Sequence, residues 1–253
     1  MSNAFDLSGR KAVITGGSRG IGAAIAELFL EHGAEVAICH VGDNANADAL
    51  RDRQAEKGLR LHTTECDVSD PEAVRRLAAW TEERLGYIDI VVNSAGVGGA
   101  DRPFFMTDDQ DWDRIVGVNL RGTILVTRAF FGSMLVRKYG RVINIASQLA
   151  YKGAPGLAHY CAAKAGVVGF TRALAYEGAP HNVLVNAIAP GPVDTELLRN
   201  HSSEWLEAKK AQLPVGRFGH VSEIAPTALL LASGAGAFYA GQTLSPNGGD
   251  VML

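Results

Sequence analysis

Short runs of consecutive apolar residues alternate with longer stretches in which apolar positions recur at helical spacing, and this alternation continues along all 253 residues. The first run, KAVIT (Lys11 to Thr15), is followed at once by GGSRGIG and then by AAIAELFLEHG, which reads as strand, glycine loop and helix. AEVAIC (Ala34 to Cys39), ending at His40, predicts a second strand, with a helix from about 45 to 57. Leu59 to Glu65 predicts a third. Ser69-Asp70-Pro71-Glu72 then opens a helix with a cap, a proline in the first turn and an acid near the N-terminus. Ile88 to Val92, running into Asn93, is a fourth buried run, and 108–138 carries a long amphipathic helix. RVINIAS (Arg141 to Ser147), a helix over 157–177, and NVLVNAIAP (Asn182 to Pro190) come next. Thr195 to Gln212 is helical in character but charged, Ser222 to Ala232 is an apolar helix, and GQTLSPNGG supplies the seventh strand. No linker, repeat or low-complexity stretch divides the chain, so one large α/β domain is expected.

Composition narrows the function classes. With 47% hydrophobic and 20% charged residues the chain can bury a full core. A net charge of −3 without a long Lys/Arg run leaves no electrostatic footprint for nucleic acid, and no such partner is expected. No apolar stretch is long enough to span a bilayer, and MSNAFDLSGRK lacks the pattern of a signal peptide, so a cytoplasmic protein without membrane contact is expected. Three cysteines without ligand spacing and seven scattered histidines predict no catalytic metal.

Gly16, Gly20 and Gly22 permit a tight turn and close approach of backbone to an anion, at the N-terminus of a helix whose free N–H groups suit a pyrophosphate. Their spacing, G-x-x-x-G-x-G, meets the dinucleotide-binding fingerprint in mechanism though not in letter. At the tip of the second strand stands His40, where an acid would bind a ribose 2′-hydroxyl, and Arg19 in the glycine loop is a candidate partner for a 2′-phosphate. These two favour NADP(H) over NAD(H). Asp43 opposes that preference but falls beyond the strand in a turn. Asp67 reads either as an adenine contact or as a turn carboxylate. The small-residue turn Asn93 to Gly96 lets a cofactor lie against backbone, and the break from Pro190 to Thr195 is placed to cover a nicotinamide.

Tyr160 and Lys164 are four residues apart on one helix, roughly 40° apart on the same face. A neighbouring ammonium favours phenolate and would bring the tyrosine down from its usual range, making it a usable acid or base. Ser147, at the end of the fifth strand, could hydrogen-bond the carbonyl oxygen that Tyr160 protonates, which is machinery for carbonyl reduction. The plain alternative is an amphipathic tip beside a solvated charge. Asn119, in mid-helix, is either a packing amide or a relay to Lys164. A substrate pocket is expected between Gly98 to Phe105, Gln148 to Pro155 and a lid over about 193–213.

Taken in order, TGGSRGIG (Thr15 to Gly22), Asp67-Val68, NSAG (Asn93 to Gly96), VNL around Asn119, Ser147, YCAAK (Tyr160 to Lys164) and PGPVDT (Pro190 to Thr195) resemble the signature set of the short-chain dehydrogenase/reductase family over essentially the whole chain. The resemblance implies a single Rossmann-like doubly wound α/β domain over 1–253, with a seven-stranded parallel sheet and helices on both faces. It implies a tetrad in which Asn119 holds a relay water, Ser147 orients the substrate oxygen, Tyr160 is the acid/base, and Lys164 tunes it and grips ribose hydroxyls. Coenzyme contacts are implied at Gly16, Ser18, Arg19, Gly20, Ile21, Gly22, His40, Asp67, Val68, Asn93, Ala95, Gly96, Tyr160, Lys164, Pro190, Gly191, Val193 and Thr195, and substrate contacts at Ser147, Gln148 and Tyr160. A homotetramer built on the helices around 110–137 and 157–177 is the family expectation. Among its members the chain resembles the 3-oxoacyl-acyl-carrier-protein reductases, although Gly132 and Tyr176, where counting places their carrier-docking arginines, are not basic. The expected reaction is therefore interconversion of a secondary alcohol and a ketone on a free small molecule. A 3-oxoacyl-acyl-carrier-protein reductase is the alternative, and a non-catalytic dinucleotide sensor or scaffold a more distant one.

Overall fold

The computed structural model describes residues 3–99, 102–199 and 201–252. Strand and helix alternate from the start: β1 (Lys11–Thr15), α1 (Gly20–Glu31), β2 (Glu35–His40), α2 (Asn44–Glu56), β3 (Leu61–Glu65), α3 (Pro71–Leu85) and β4 (Ile90–Asn93). α4 (Asp109–Val116) and α5 (Thr123–Arg137) lead to β5 (Gly140–Ile145), then α6 (Leu149–Lys152), α7 (Ala158–Gly178) and β6 (Val183–Ile188). α8 (Glu196–Arg199), α9 (Ser203–Gln212), α10 (Val221–Ala232) and β7 (Thr243–Leu244) complete the chain.

All seven strands are parallel, in the order β3-β2-β1-β4-β5-β6-β7. Solid apolar runs such as IVVN suit this arrangement because both faces of each strand are covered. One face, with Ile14, Ile38, Val92 and Ile143, packs against Phe29 of α1 and Ile224 of α10. The other, with Val13, Ala37, Val91 and Val142, packs against Leu77 of α3 and Phe130 of α5. The order reverses between β1 and β4, and the crevice beyond the carboxyl ends of those strands is where such sheets bind ligands.

Several boundaries differ from the sequence reading. β7 forms only two ladder residues instead of running through the whole of GQTLSPNGG, because the turns that follow hold positive-φ Gly248 and Gly249. The helix expected over 108–138 is interrupted by a π-helical segment at Gly117–Gly122 centred on Asn119. The amide of Asn119 donates to Ile115 O at 3.0 Å and to Val97 O at 2.9 Å, so a side chain takes over a carbonyl of the helix ladder. π-turns of this kind cluster at functional sites.

Candidate active site

The dinucleotide crevice is built from backbone brought into close contact. A Cβ on Gly16 would stand 2.8 Å from Ala95 Cα, and one on Gly22 would overlap the Gly16 carbonyl, so neither position tolerates a side chain. The Thr15 hydroxyl accepts from Ser94 N at 3.1 Å and Ala95 N at 3.0 Å, fastening the Asn93 to Gly96 turn to the glycine loop. α1 has neither a side-chain cap nor an acid in its first turn, which leaves its N–H groups and the positive end of the helix for an anion. Thr195 Cγ2 lies 3.7 Å from where a Gly20 Cβ would be, bringing the loop from Pro190 over the same crevice. These features fit a dinucleotide pyrophosphate.

At the adenosine end the expected residues divide. Arg19 is 58% exposed, with its guanidinium 2.6 Å from Glu196 and 3.8 Å from Asp43. His40 is buried, and its Nδ1 accepts from the Asp43 N–H at 3.4 Å, which ties the tip of β2 to the turn. Asp43 folds back onto the glycine loop, where its oxygens accept from Ser18 Oγ at 2.6 Å and Asn46 Nδ2 at 2.8 Å. Asp67 accepts from the N–H and hydroxyl of Ser69, the turn role considered for it above. Val68 packs beside it against Gly122.

The four proposed catalytic side chains lie at the carboxyl ends of β4 and β5. Beneath them runs a buried amide network that the sequence did not disclose: Asn93 Nδ2 donates to Thr127 Oγ1 and Asn144 Oδ1, both at 2.8 Å, and Asn144 Nδ2 donates to Thr171 Oγ1 at 2.9 Å. Lys164 is buried, its Nζ donating to Ile145 O at 2.8 Å and standing 5.7 Å from the centroid of the Tyr160 ring. Asn119 Oδ1 and Lys164 Nζ both lie within 4 Å of the position a Gly96 Cβ would take, so glycine there lets the two groups converge. Asn119 Oδ1 is buried without a partner, as an acceptor poised for a relay water would be.

One expectation about this centre fails. Burial raises the Tyr160 phenol above its usual range, and hydrogen bonding with Ser147 opposes this without overcoming it. Burial also lowers the Lys164 ammonium to about 8. The sequence reading weighed the ammonium and left out desolvation, which is the larger effect on both groups in the protein itself.

Gln148, expected at the substrate, belongs to a cluster that was not expected. Its Nε2 donates to Asp250, which also accepts from Lys152 Nζ of α6 and Lys209 Nζ of α9, each at 2.6 Å. Nothing in the spacing of GGDVML marks Asp250, since its partners lie 41 to 102 residues away. The expected lid is two short helices, α8 and α9, joined to this cluster through Lys209. Of the pocket wall expected from Gly98 to Phe105, residues 100 and 101 lie outside the described residues.

A family profile described as enoyl-(acyl carrier protein) reductase matches residues 16–250. The acetoacetyl-CoA reductase of Shinella zoogloeoides is 42% identical over 245 residues, covering 96% of this chain and 99% of the relative. The 3-oxoacyl-acyl-carrier-protein reductase of Chlamydia muridarum is 37% identical over 96% of this chain and 98% of its own. Among solved structures, a gluconate 5-dehydrogenase from Burkholderia cenocepacia in complex with NADP and tartrate superposes with a TM-score of 0.91 at 34% identity, covering 98% of this chain and 97% of that one. With profile, relatives and fold in agreement along nearly the whole sequence, the chain belongs to the short-chain dehydrogenase/reductase family of oxidoreductases.

Proposed function

We propose that this oxidoreductase interconverts a secondary alcohol and a ketone on a free small molecule, with Tyr160 as the acid/base. The observation that carries the reading is the buried Lys164 ammonium, which donates to the Ile145 carbonyl and converges at Gly96 with the unpartnered Asn119 oxygen, near the Tyr160 ring. A bound nicotinamide dinucleotide supplies or accepts the hydride. Ser147 holds the substrate oxygen, and Tyr160 gives it a proton in reduction and removes one in oxidation. A phenol is protonated near neutral pH, and burial, which holds Tyr160 above its usual range, leaves it in the form that donates in reduction. Lys164, lowered to about 8, exchanges a proton far more readily than a solvated lysine and, with Asn119, reloads the tyrosine.

For the coenzyme we infer NADP(H) over NAD(H). Both Asp43 oxygens are engaged by protein donors and its side chain is mostly covered, whereas Arg19, though paired with Glu196, stays exposed at the ribose end. The NADP-bound relative has the same fold.

A second reading, reduction of a 3-oxoacyl thioester, is favoured by the curated relatives and by the surface of α5 and α7. Gly132 and Tyr176 are exposed there, and exposed Arg128, Lys138 and Arg172 stand nearby on the same helices, so positive charge is present for an acidic carrier. A turnover screen of free ketones, alcohols and carrier-linked 3-oxoacyl thioesters with both coenzymes separates the readings. Turnover of free ketones with NADPH supports the first, and strict dependence on the carrier overturns it. We also infer a homotetramer, supported by exposed Val136 on α5 and Tyr176 on α7. Light scattering at four times the 26.8 kDa chain mass is expected, and a monomer would refute it.

A further inference from the structure

Asp250 gathers a charged cluster that reaches Gln148, the residue directly after Ser147. The Asp250 side chain is only 4% exposed, and three donors from two helices meet on it: Gln148, which caps α6, Lys152 at the end of α6, and Lys209 of α9. One lysine would have been enough to neutralise the carboxylate and tie the lid down. Two lysines leave one net positive charge, and Lys209 is itself only 14% exposed. Each ammonium carries three N–H groups and donates one to Asp250. The wall therefore keeps spare donors, and Asp250 holds together two cations that would otherwise repel.

The same wall contains an acceptor without a donor. Gln148 Oε1 is buried and unpartnered, although the amide's other end is bonded to Asp250. A buried acceptor of this kind costs stability unless a hydroxyl or water meets it. Spare N–H donors, one unit of positive charge and a waiting acceptor, joined to the site through Gln148, the residue after Ser147, match a monoanion that carries a hydroxyl. A phosphate dianion would reverse the net charge of the wall, whereas a carboxylate neutralises it.

We propose that Gln148, Lys152 and Lys209, spaced by Asp250, recognise a carboxylate, so that the substrate is an oxo acid or the corresponding hydroxy acid, with a second hydroxyl donating to Gln148 Oε1. The inference rests on the reading of Ser147 and Tyr160 as carbonyl-reducing groups. It makes the lysines specificity-determining residues that act on binding of the substrate's far end.

The test measures kcat/KM with NADPH for a panel of free oxo acids, each paired with its methyl ester, which keeps the ketone and removes the charge. The wild-type protein should prefer the acids by about tenfold or more, the factor expected from one charge-assisted hydrogen bond. Lys152→Met/Lys209→Met, which leaves the Asp250 carboxylate uncompensated, should bring the acid-to-ester ratio to one or below through KM, while Lys209→Arg, which keeps the charge, should preserve it. Quenching of bound NADPH fluorescence by tartrate gives a second readout that needs no turnover and should weaken in the double variant. Esters reduced as well as acids, or a double variant that keeps the preference, would overturn the proposal and leave the catalytic reading intact. If no ketone of either kind is reduced, the catalytic reading falls and the proposal with it.

Discussion

Lys164 and the pair Lys152 and Lys209 stand under opposite conditions. Lys164 is buried with a carbonyl for a partner, and desolvation brings it down to about 8. Lys152, at the end of α6, shares Asp250 with Lys209, and hydrogen bonding to that carboxylate raises it above the ordinary lysine range. The difference shows how one residue type serves two purposes. Burial without a counter-charge makes an ammonium that exchanges its proton, and pairing makes one that stays charged and can only attract.

The largest effect that would break the comparison is removal of Lys164. Lys164→Met should lower turnover by roughly 10²–10⁴-fold, the range of a lost acid/base contribution. It should nevertheless not weaken the fold at neutral pH. The folded-state value of about 8 lies below the usual 10.5, so the cost of the buried charge is fully present below pH 8 and is relieved as pH rises towards 10.5. That cost is on the order of 3 kcal/mol. Urea unfolding of the two proteins should show an advantage for Lys164→Met at pH 7 that shrinks by pH 10; a constant difference would mean that Lys164 is not depressed.

Asp250→Asn makes the opposite change, leaving two ammonium groups without their carboxylate. With Lys152 38% exposed, solvent moderates the loss to about 1–3 kcal/mol, detectable as a lower denaturant midpoint. Burial tends to raise the Asp250 carboxyl, but hydrogen bonds from Lys152, Lys209 and Gln148 outweigh it and hold the group below its usual range. Its stabilisation is therefore present above the ordinary carboxylate range and lost as pH falls through the lowered value. A midpoint difference between wild type and Asp250→Asn that persisted unchanged in strong acid would contradict this.

The smallest effect is expected at Arg19, which is mostly exposed and shared between Glu196 and Asp43. Arg19→Gln should weaken NADPH by about tenfold or less and barely change NADH. Fluorescence titration of both coenzymes decides this, and tighter NADH binding to the wild type would refute the assigned preference.

The sheet was legible because its signal is local. A strand such as KAVIT and the helix after it announce themselves by periodicity, and Gly16 and Gly22 mark a backbone contact that only glycine permits. Tyr160 and Lys164 were legible for the same reason, one turn apart on one helix. The mid-helix position of Asn119 flagged an amide with a job, but not the π-turn that gives it one. Burial was illegible. The direction in which Tyr160 shifts depends on how much protein closes around it, and the ladder from Asn93 through Asn144 to Thr171 depends on strand register. Asp250 and its lysines were hidden most completely, because three distant segments meet only after α9 and the C-terminal turns are in place.

The central claim is that the Tyr160 hydroxyl trades the proton while the surrounding groups hold coenzyme and substrate. Replacing Tyr160 with Phe and measuring ketone turnover alongside NADPH affinity tests it most directly, since the change removes one oxygen and keeps the ring. The account predicts a fall in kcat/KM of roughly 10²–10⁴-fold with coenzyme affinity nearly unchanged. Turnover retained at the wild-type level, with coenzyme still bound, would contradict it.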